Sequence, residues 1–161
     1  MYVCCFTGHR RFSFGGNERH PECVRIKDKL REQIVEAIDT GHSHFIAGGA
    51  LGVDTWAARI VLELRREYPR ITLEIAIPCK GQASKWNASD RAAYEEVCYH
   101  ADKVTMVTND EYVSGCMQRR NRYMVDKADL VIAVFNGTSG GTAQTIRYAG
   151  QMGKNVKVID V

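Results

Sequence analysis

The stretch Phe45-Ile-Ala-Gly-Gly-Ala-Leu-Gly-Val-Asp54 constrains the fold more than any other, because a short apolar strand runs into three glycines and then directly into a helical pattern beginning near Thr55. This is the layout of a phosphate-binding turn. Gly48, Gly49 and Gly52 carry no Cβ and tolerate positive φ, so a ligand can approach the backbone closely. The unpaired N–H groups and the positive dipole end of the following helix would face an anion above the turn. The alternative is a tight strand-to-helix connection with Asp54 as a first-turn capping carboxylate.

A second passage of the same kind favours a site. Leu130 to Phe135 is the most apolar run of the chain and is expected to be a central or near-central fifth strand. It feeds Asn136-Gly-Thr-Ser-Gly-Gly-Thr142, after which Ile146 and Ala149 mark the buried side of a helix that Gly150 and Gly153 end. Two glycine turns at equivalent strand ends are hard to explain as connections alone.

The rest of the chain supplies the sheet. Tyr2 to Thr7 reads as a buried first strand ending in Thr7-Gly8-His9-Arg10, where open α/β sheets bind ligands. Arg11 to His20 reads as a loop. Pro21 opens a helix with Ile26, Leu30, Ile34, Ala37 and Ile38 at helical spacing, and Gly41 stops it. The second strand spans His44 to Ala47. The helix after it shows Ala57, Ile60, Val61 and Leu64 on one face and ends at Tyr68-Pro69. Ile71 to Ile77 is a third strand, Pro78 to Asn87 a loop, and Ser89 or Asp90 can cap a helix reaching about Ala101. Val104 to Val107 is a short fourth strand, and Thr108 to Cys116 leads to a helix opening on Gln118-Arg-Arg-Asn-Arg122 and ending before Asp129. Val156 to Ile159 closes the order. Strands alternating with helices predict one three-layer α/β domain with a mainly parallel sheet, the ends of strands one, two and five bordering one pocket.

Arginines at a helix start oppose the macrodipole, and local conflicts of this kind mark functional sites. Arg119 or Arg120 is therefore expected at the pocket or across a subunit interface. At least one arginine of the three should face solvent, since they cannot all point one way. Trp86, in a polar loop, is either a stacking surface or a lid on the core.

Composition excludes more than it suggests. A net charge of +3 over 161 residues indicates neither nucleic acid nor an anionic membrane. Six cysteines show no metal-ligand spacing, so no metal is expected, and with no signal peptide visible a reduced, cytoplasmic setting is the expectation. No apolar run approaches the roughly 20 residues of a membrane span.

The two glycine motifs, with Thr7-Gly-His-Arg10 at the first strand end, resemble the SLOG superfamily, which joins the DNA-processing protein DprA and the LOG phosphoribohydrolases in one Rossmann-like fold. Tyr68-Pro, Ile77-Pro-Cys, Gln82, Trp86, Tyr94 and Arg119-Arg-Asn-Arg122 resemble its YpsA-like branch. The resemblance covers essentially the whole chain. It implies a Rossmann-like domain that binds a nucleotide or nucleotide-derived ligand, ADP-ribose-like molecules included, and that self-associates, a homodimer being the simplest case. The residues expected at the ligand are Thr7, Gly8, His9, Arg10, Gly48, Gly49, Gly52, Asp54, Gln82, Trp86, Arg119, Arg120, Asn121, Asn136, Gly140, Gly141 and Thr142. No cofactor beyond such a ligand is implied.

LOG hydrolases carry a proline-glycine-glycine motif, then glycine-threonine and a glutamate three positions later. Here the proline is absent and the matching position is Thr145, beside Gln144, so neither can act as a carboxylate. Asp54 is the best remaining candidate for chemistry. Three functions are carried forward: binding or sensing of a nucleotide-like ligand; hydrolysis of a nucleotide or its N-glycosidic bond; and DprA-like single-stranded DNA binding, which the interleaving of acidic with basic residues disfavours.

Overall fold

The computed structural model describes residues 1–10, 12, 14–109 and 111–161. Arg11 and Ser13 of the expected first loop, and Asp110 of the loop after the fourth strand, lie outside the described residues. Six strands and five helices alternate: β1 (Tyr2–Gly8), α1 (Pro21–Asp39), β2 (His42–Ala47), α2 (Val53–Leu64), β3 (Thr72–Ile77), α3 (Ala88–His100), β4 (Lys103–Met106), α4 (Cys116–Lys127), β5 (Leu130–Phe135), α5 (Gly141–Gln151) and β6 (Asn155–Asp160).

The strands form one sheet in the order β4-β3-β2-β1-β5-β6, and every neighbouring pair is parallel. The chain therefore steps outward from β1 to β4, then returns across the sheet to β5 on the other side of β1. Crossovers of constant hand require the helices to change face at that return. They do. Cys4, Phe6, Phe45, Leu73, Ile75 and Ile132 pack with α1 and α2 on one face, whereas Cys5, Ile46, Ala76 and Val131 pack with Met124 and Val125 of α4 and Ala149 of α5 on the other. Successive residues of β1 thus serve opposite layers, as the period of two along a strand demands. Cys4, Cys5 and Phe6 are fully buried, which explains why β1 reads as an unbroken apolar run.

Some boundaries differ from the sequence expectation. Helix α4 starts at Cys116, so Arg119 and Arg120 lie at the end of its first turn and not at its mouth. The dipole conflict is correspondingly milder. The cap of α3 is Asn87, whose side-chain oxygen accepts from the Asp90 N–H at 2.8 Å, in place of Ser89 or Asp90. Helix α2 begins at Val53 and ends at Leu64, and Ile146 is only half-buried. The segment expected as a featureless loop before α1 holds an aromatic stack: Phe12 lies 5.2 Å from Phe14 and 5.3 Å from Trp56, with Phe14 on His20 at 5.0 Å. No helix among the described residues is long and apolar enough to cross a membrane.

Candidate functional site

Because α1 and α5 follow neighbouring strands but lie on opposite faces, a crevice opens beyond the carboxyl ends of β1 and β5, the switch point where parallel α/β sheets receive ligands. A cavity of about 460 Å³ occupies it. It is lined by Thr7, Gly8, His9 and Arg10 after β1, by Ala50 and Asp54 from the first glycine turn, by Arg120 and Asn121 of α4, and by Gly141 and Thr142 opening α5. Phe6, Met117 and Met124 complete the wall.

Two buried charges organise it. Asp54 is 8% exposed and Arg120 is 3% exposed. Asp54 accepts the Ala50 N–H at 3.2 Å. Burial pushes its carboxyl above the ordinary range, while Arg120, the Ala50 amide and Arg10 pull the other way. Burial likewise lowers the Arg120 pKa, and Asp54 opposes that fall. The Arg120 guanidinium donates to the carbonyl of Gly48, and its Nε donates to the Asn121 side-chain oxygen at 2.8 Å. Arg120 and Asp54 converge on Gly48: a Cβ there would sit 2.6 Å from the guanidinium and 2.8 Å from the Asp54 carboxylate. Only glycine fits.

The glycines of the first turn therefore serve close packing within the protein. Gly52 has φ +75°, and a Cβ on it would lie 2.5 Å from the His9 carbonyl oxygen. The first helical amide, Val53 N–H, donates to that same carbonyl at 3.3 Å. With Ala50 N–H held by Asp54, two donors of this turn are already occupied by protein acceptors. Gly49 stands over Gln82, whose amide donates to the Gly49 carbonyl at 3.4 Å.

The second turn is different. Gly140 caps α5 without a side-chain hydrogen bond, and the first amide of this end to find a backbone acceptor is Gln144, on Gly140. Among the described residues no acceptor meets the N–H groups of Gly141 and Thr142, and both residues line the crevice. Thr145, at the position where LOG enzymes hold glutamate, is buried and donates its hydroxyl to the Gly141 carbonyl at 2.9 Å.

His9 ties the two sides together. Its ring stacks on Phe135 at 6.1 Å and its Nε2 accepts the Asn136 backbone N–H at 3.1 Å, which leaves the ring proton on Nδ1. Burial lowers its pKa, in keeping with a neutral ring.

Of the residues expected at the ligand, Thr7, Gly8, His9, Arg10, Asp54, Arg120, Asn121, Gly141 and Thr142 come together here. Gly48, Gly49, Gly52 and Gln82 stand behind the wall. Trp86 packs edge-on against Tyr94 at 5.5 Å, outside the crevice. Arg119 is exposed and lines no part of it. Asn136 turns its side chain to the Thr138 N–H at 3.0 Å and is exposed, and Gly140 is also exposed beside the mouth. Sequence reasoning missed Phe6, Ala50 and, on α4, Met117 and Met124. The helical spacing of Met117, Arg120, Asn121 and Met124 could have revealed the last two as one face of α4.

It also missed a buried polar cluster on the α4 side of the sheet. Glu74 accepts from the Tyr123 hydroxyl at 2.6 Å, the Thr105 hydroxyl at 2.7 Å and His44 Nε2 at 2.7 Å. Burial alone would raise its pKa, but these bonds and the charge of Lys103 outweigh that and hold it at about 2.

Comparison with known proteins places this geometry in a family. UPF0398 proteins are similar: one from Bacillus thuringiensis (strain Al Hakam) is 31% identical over 153 residues, spanning 94% of this chain and 83% of that one. Another from Bacillus pumilus (strain SAFR-032) is 29% identical over 144 residues, covering 88% and 77%. Among solved structures, DNA processing protein A from Streptococcus pneumoniae superposes with a TM-score of 0.68 at 16% identity, over 100% of this chain and 51% of that one. The Helicobacter pylori protein, described for its single-stranded DNA binding mode, gives 0.66 at 19% identity over 98% and 64%. This chain thus corresponds to between half and two thirds of either DprA, and the likeness is one of fold. The YpsA family model, described as YspA SLOG family, matches residues 4–160, and the chain belongs to that family.

Proposed function

We propose that the chain binds or senses a nucleotide or nucleotide-derived ligand in the switch-point crevice, with the anion seated at the second glycine turn. The observation that carries this is the pair of N–H groups at Gly141 and Thr142, without a protein acceptor among the described residues, at the positive end of α5 and in one cavity with Arg10 and Arg120. In this reading Asp54 and Asn121 hold ribose hydroxyls, which their positions in the crevice wall support. The first glycine turn supports the site and Asp54 speaks for it.

Hydrolysis of a nucleotide or its glycosidic bond is the second reading, and a specific observation favours it: a carboxyl whose pKa is raised by burial, inside a crevice, is a candidate general acid. The buried free thiols of Cys4, Cys5, Cys23, Cys79 and Cys116 suit a reducing, cytoplasmic setting. Assembly as a homodimer belongs to the same proposal, by analogy with the wider superfamily; light scattering that shows a monomer at every usable concentration would remove it.

Asp54→Asn separates the readings. If Asp54 orients a ribose, affinity falls by about 1.5–3 kcal/mol, the range for hydrogen bonds to a charged group, and the fold survives. If it is a catalytic acid or base, affinity is nearly unchanged and turnover falls by roughly 10²–10⁴-fold. Calorimetric titration with adenine and guanine nucleotides and ADP-ribose, beside chromatography for released base, distinguishes the two. Unchanged affinity, with no base released by either protein, would leave Asp54 as structure only.

A further inference from the structure

A second cavity adjoins the crevice. It is a groove of about 280 Å³ between α4 and α5, and Asn121 lines both spaces. Thr142 faces the crevice while Gln144 and Thr145, the next residues toward the carboxyl end of α5, face the groove. The two cavities thus lie next to one another along α5, with Asn121 between them.

The chemistry of the groove is specific. Its walls carry two guanidinium groups, Arg122 and Arg147, several side-chain amides including Gln118 and Gln144, and Tyr148, with no carboxylate among the lining residues. The Arg122 guanidinium lies over the Tyr148 ring at 5.2 Å, and the Tyr148 hydroxyl donates to Asp126 at 2.6 Å, which fixes the ring. A guanidinium and an aromatic ring side by side offer surfaces on which a base can stack. Side-chain amides match the donor and acceptor edges of bases, and arginine suits phosphate. From Gly141 to Tyr148 the helix rises about 10 Å, at about 1.5 Å per residue, a distance comparable to one nucleotide unit.

We infer that the α4–α5 groove is a second subsite, and that the ligand consists of at least two linked nucleotide units, one phosphate at Gly141 and Thr142 and the second unit along Arg122, Arg147 and Tyr148. This rests on the nucleotide reading of the crevice and extends it to a class of ligand. Two sources share the chemistry: a small dinucleotide joined through pyrophosphate, and a short phosphodiester-linked single strand.

The test is titration of the intact chain with a nucleoside 5′-monophosphate, a pyrophosphate-linked dinucleotide, a 5′-phosphorylated two-residue deoxynucleotide and its six-residue counterpart. At least one two-unit ligand should bind about ten-fold or more tighter than the monophosphate. The double variant Arg122→Gln, Arg147→Gln, both at exposed positions, should abolish that gain, leaving monophosphate affinity unchanged and the fold intact. Arg119→Gln, exposed on the same helix but outside the groove, should keep the gain, which separates a built subsite from loss of positive charge. Preference for the pyrophosphate link identifies a small molecule, and affinity that climbs from two to six residues identifies a strand. The inference is overturned if the monophosphate binds and no longer ligand binds better, or if the double variant retains the gain. Absence of binding by every ligand overturns the crevice reading with it.

Discussion

Asp54 and Arg120 are buried on either side of Gly48, and each charge partly offsets the cost of burying the other. Replacing Arg120 by methionine, which is similar in length but uncharged, leaves Arg10 as the remaining positive neighbour of the carboxylate and the Gly48 carbonyl without its donor. A loss of about 1–3 kcal/mol in denaturant unfolding, that of a buried acceptor left without its donor, is expected. Adding Asp54→Asn should recover part of that loss, because the two substitutions act on one interaction. Strictly additive losses would show that the residues are energetically independent. The glycines make a second test at this scale. Gly52 and Gly153 have nearly equal positive φ, +75° and +70°, but a Cβ meets the His9 and Arg10 carbonyls at Gly52 and nothing within 4 Å at Gly153. Gly153→Ala should therefore cost only the backbone strain, about 1–2 kcal/mol, and Gly52→Ala distinctly more, measured by the same unfolding curves. Equal costs would mean that the β1 loop yields freely.

At the scale of elements, the two glycine turns look alike in sequence and differ in what their donors meet. In the first, Val53 N–H and Ala50 N–H are occupied by the His9 carbonyl and Asp54. In the second, those of Gly141 and Thr142 meet no acceptor among the described residues, and both residues line the crevice. The sequence could show that both strands run into glycine and then helix, because apolar runs and glycines are local signals. It could not show which turn keeps its amides, because that depends on β1 lying between β2 and β5 and bringing His9 against α2. Helix α4 teaches the same lesson. Its arginines were legible as anomalous, but the start at Cys116 moved them about half a turn inward, and only packing sorts Arg120 into the crevice, Arg122 into the groove and Arg119 to solvent. The Glu74 cluster was invisible for a similar reason: its partners come from β2, β4 and α4, and nothing links them along the chain. Tyr123→Phe removes one donor to a charged acceptor and should cost about 1.5–3 kcal/mol near neutral pH.

Three buried or half-buried groups contribute to the acid response of the whole molecule, and their signs differ. Glu74 has a depressed pKa of about 2 against an ordinary 4.5, so its contribution is full above about 4.5 and is lost as pH falls toward 2. His9 also has a lowered pKa, and the folded state resists its protonation, so stability declines as pH falls below about 6.5. Asp54 is raised, which works in reverse: its contribution is present below about 4 and is lost as pH rises through its folded value. Chemical unfolding followed from pH 7 to pH 3 should show a first decline below about 6.5 that His9→Gln flattens, and a second below about 4.5 that Tyr123→Phe weakens. A stability profile that rises on acidification through both windows would contradict these signs.

The parallel order of the elements was readable throughout, since each alternation of apolar strand and amphipathic helix is local, and the switch point follows from the strand order once β5 is placed beside β1. The central claim is that this switch point is a ligand site with its anion at α5. Amide-resolved NMR titration with a nucleoside 5′-monophosphate tests it most directly. Saturable shifts should concentrate at Gly8, His9 and Arg10 and at Gly141 and Thr142, with smaller ones at Asn121. Shifts confined to other surfaces, or no saturable shift with any adenine or guanine nucleotide, would contradict it.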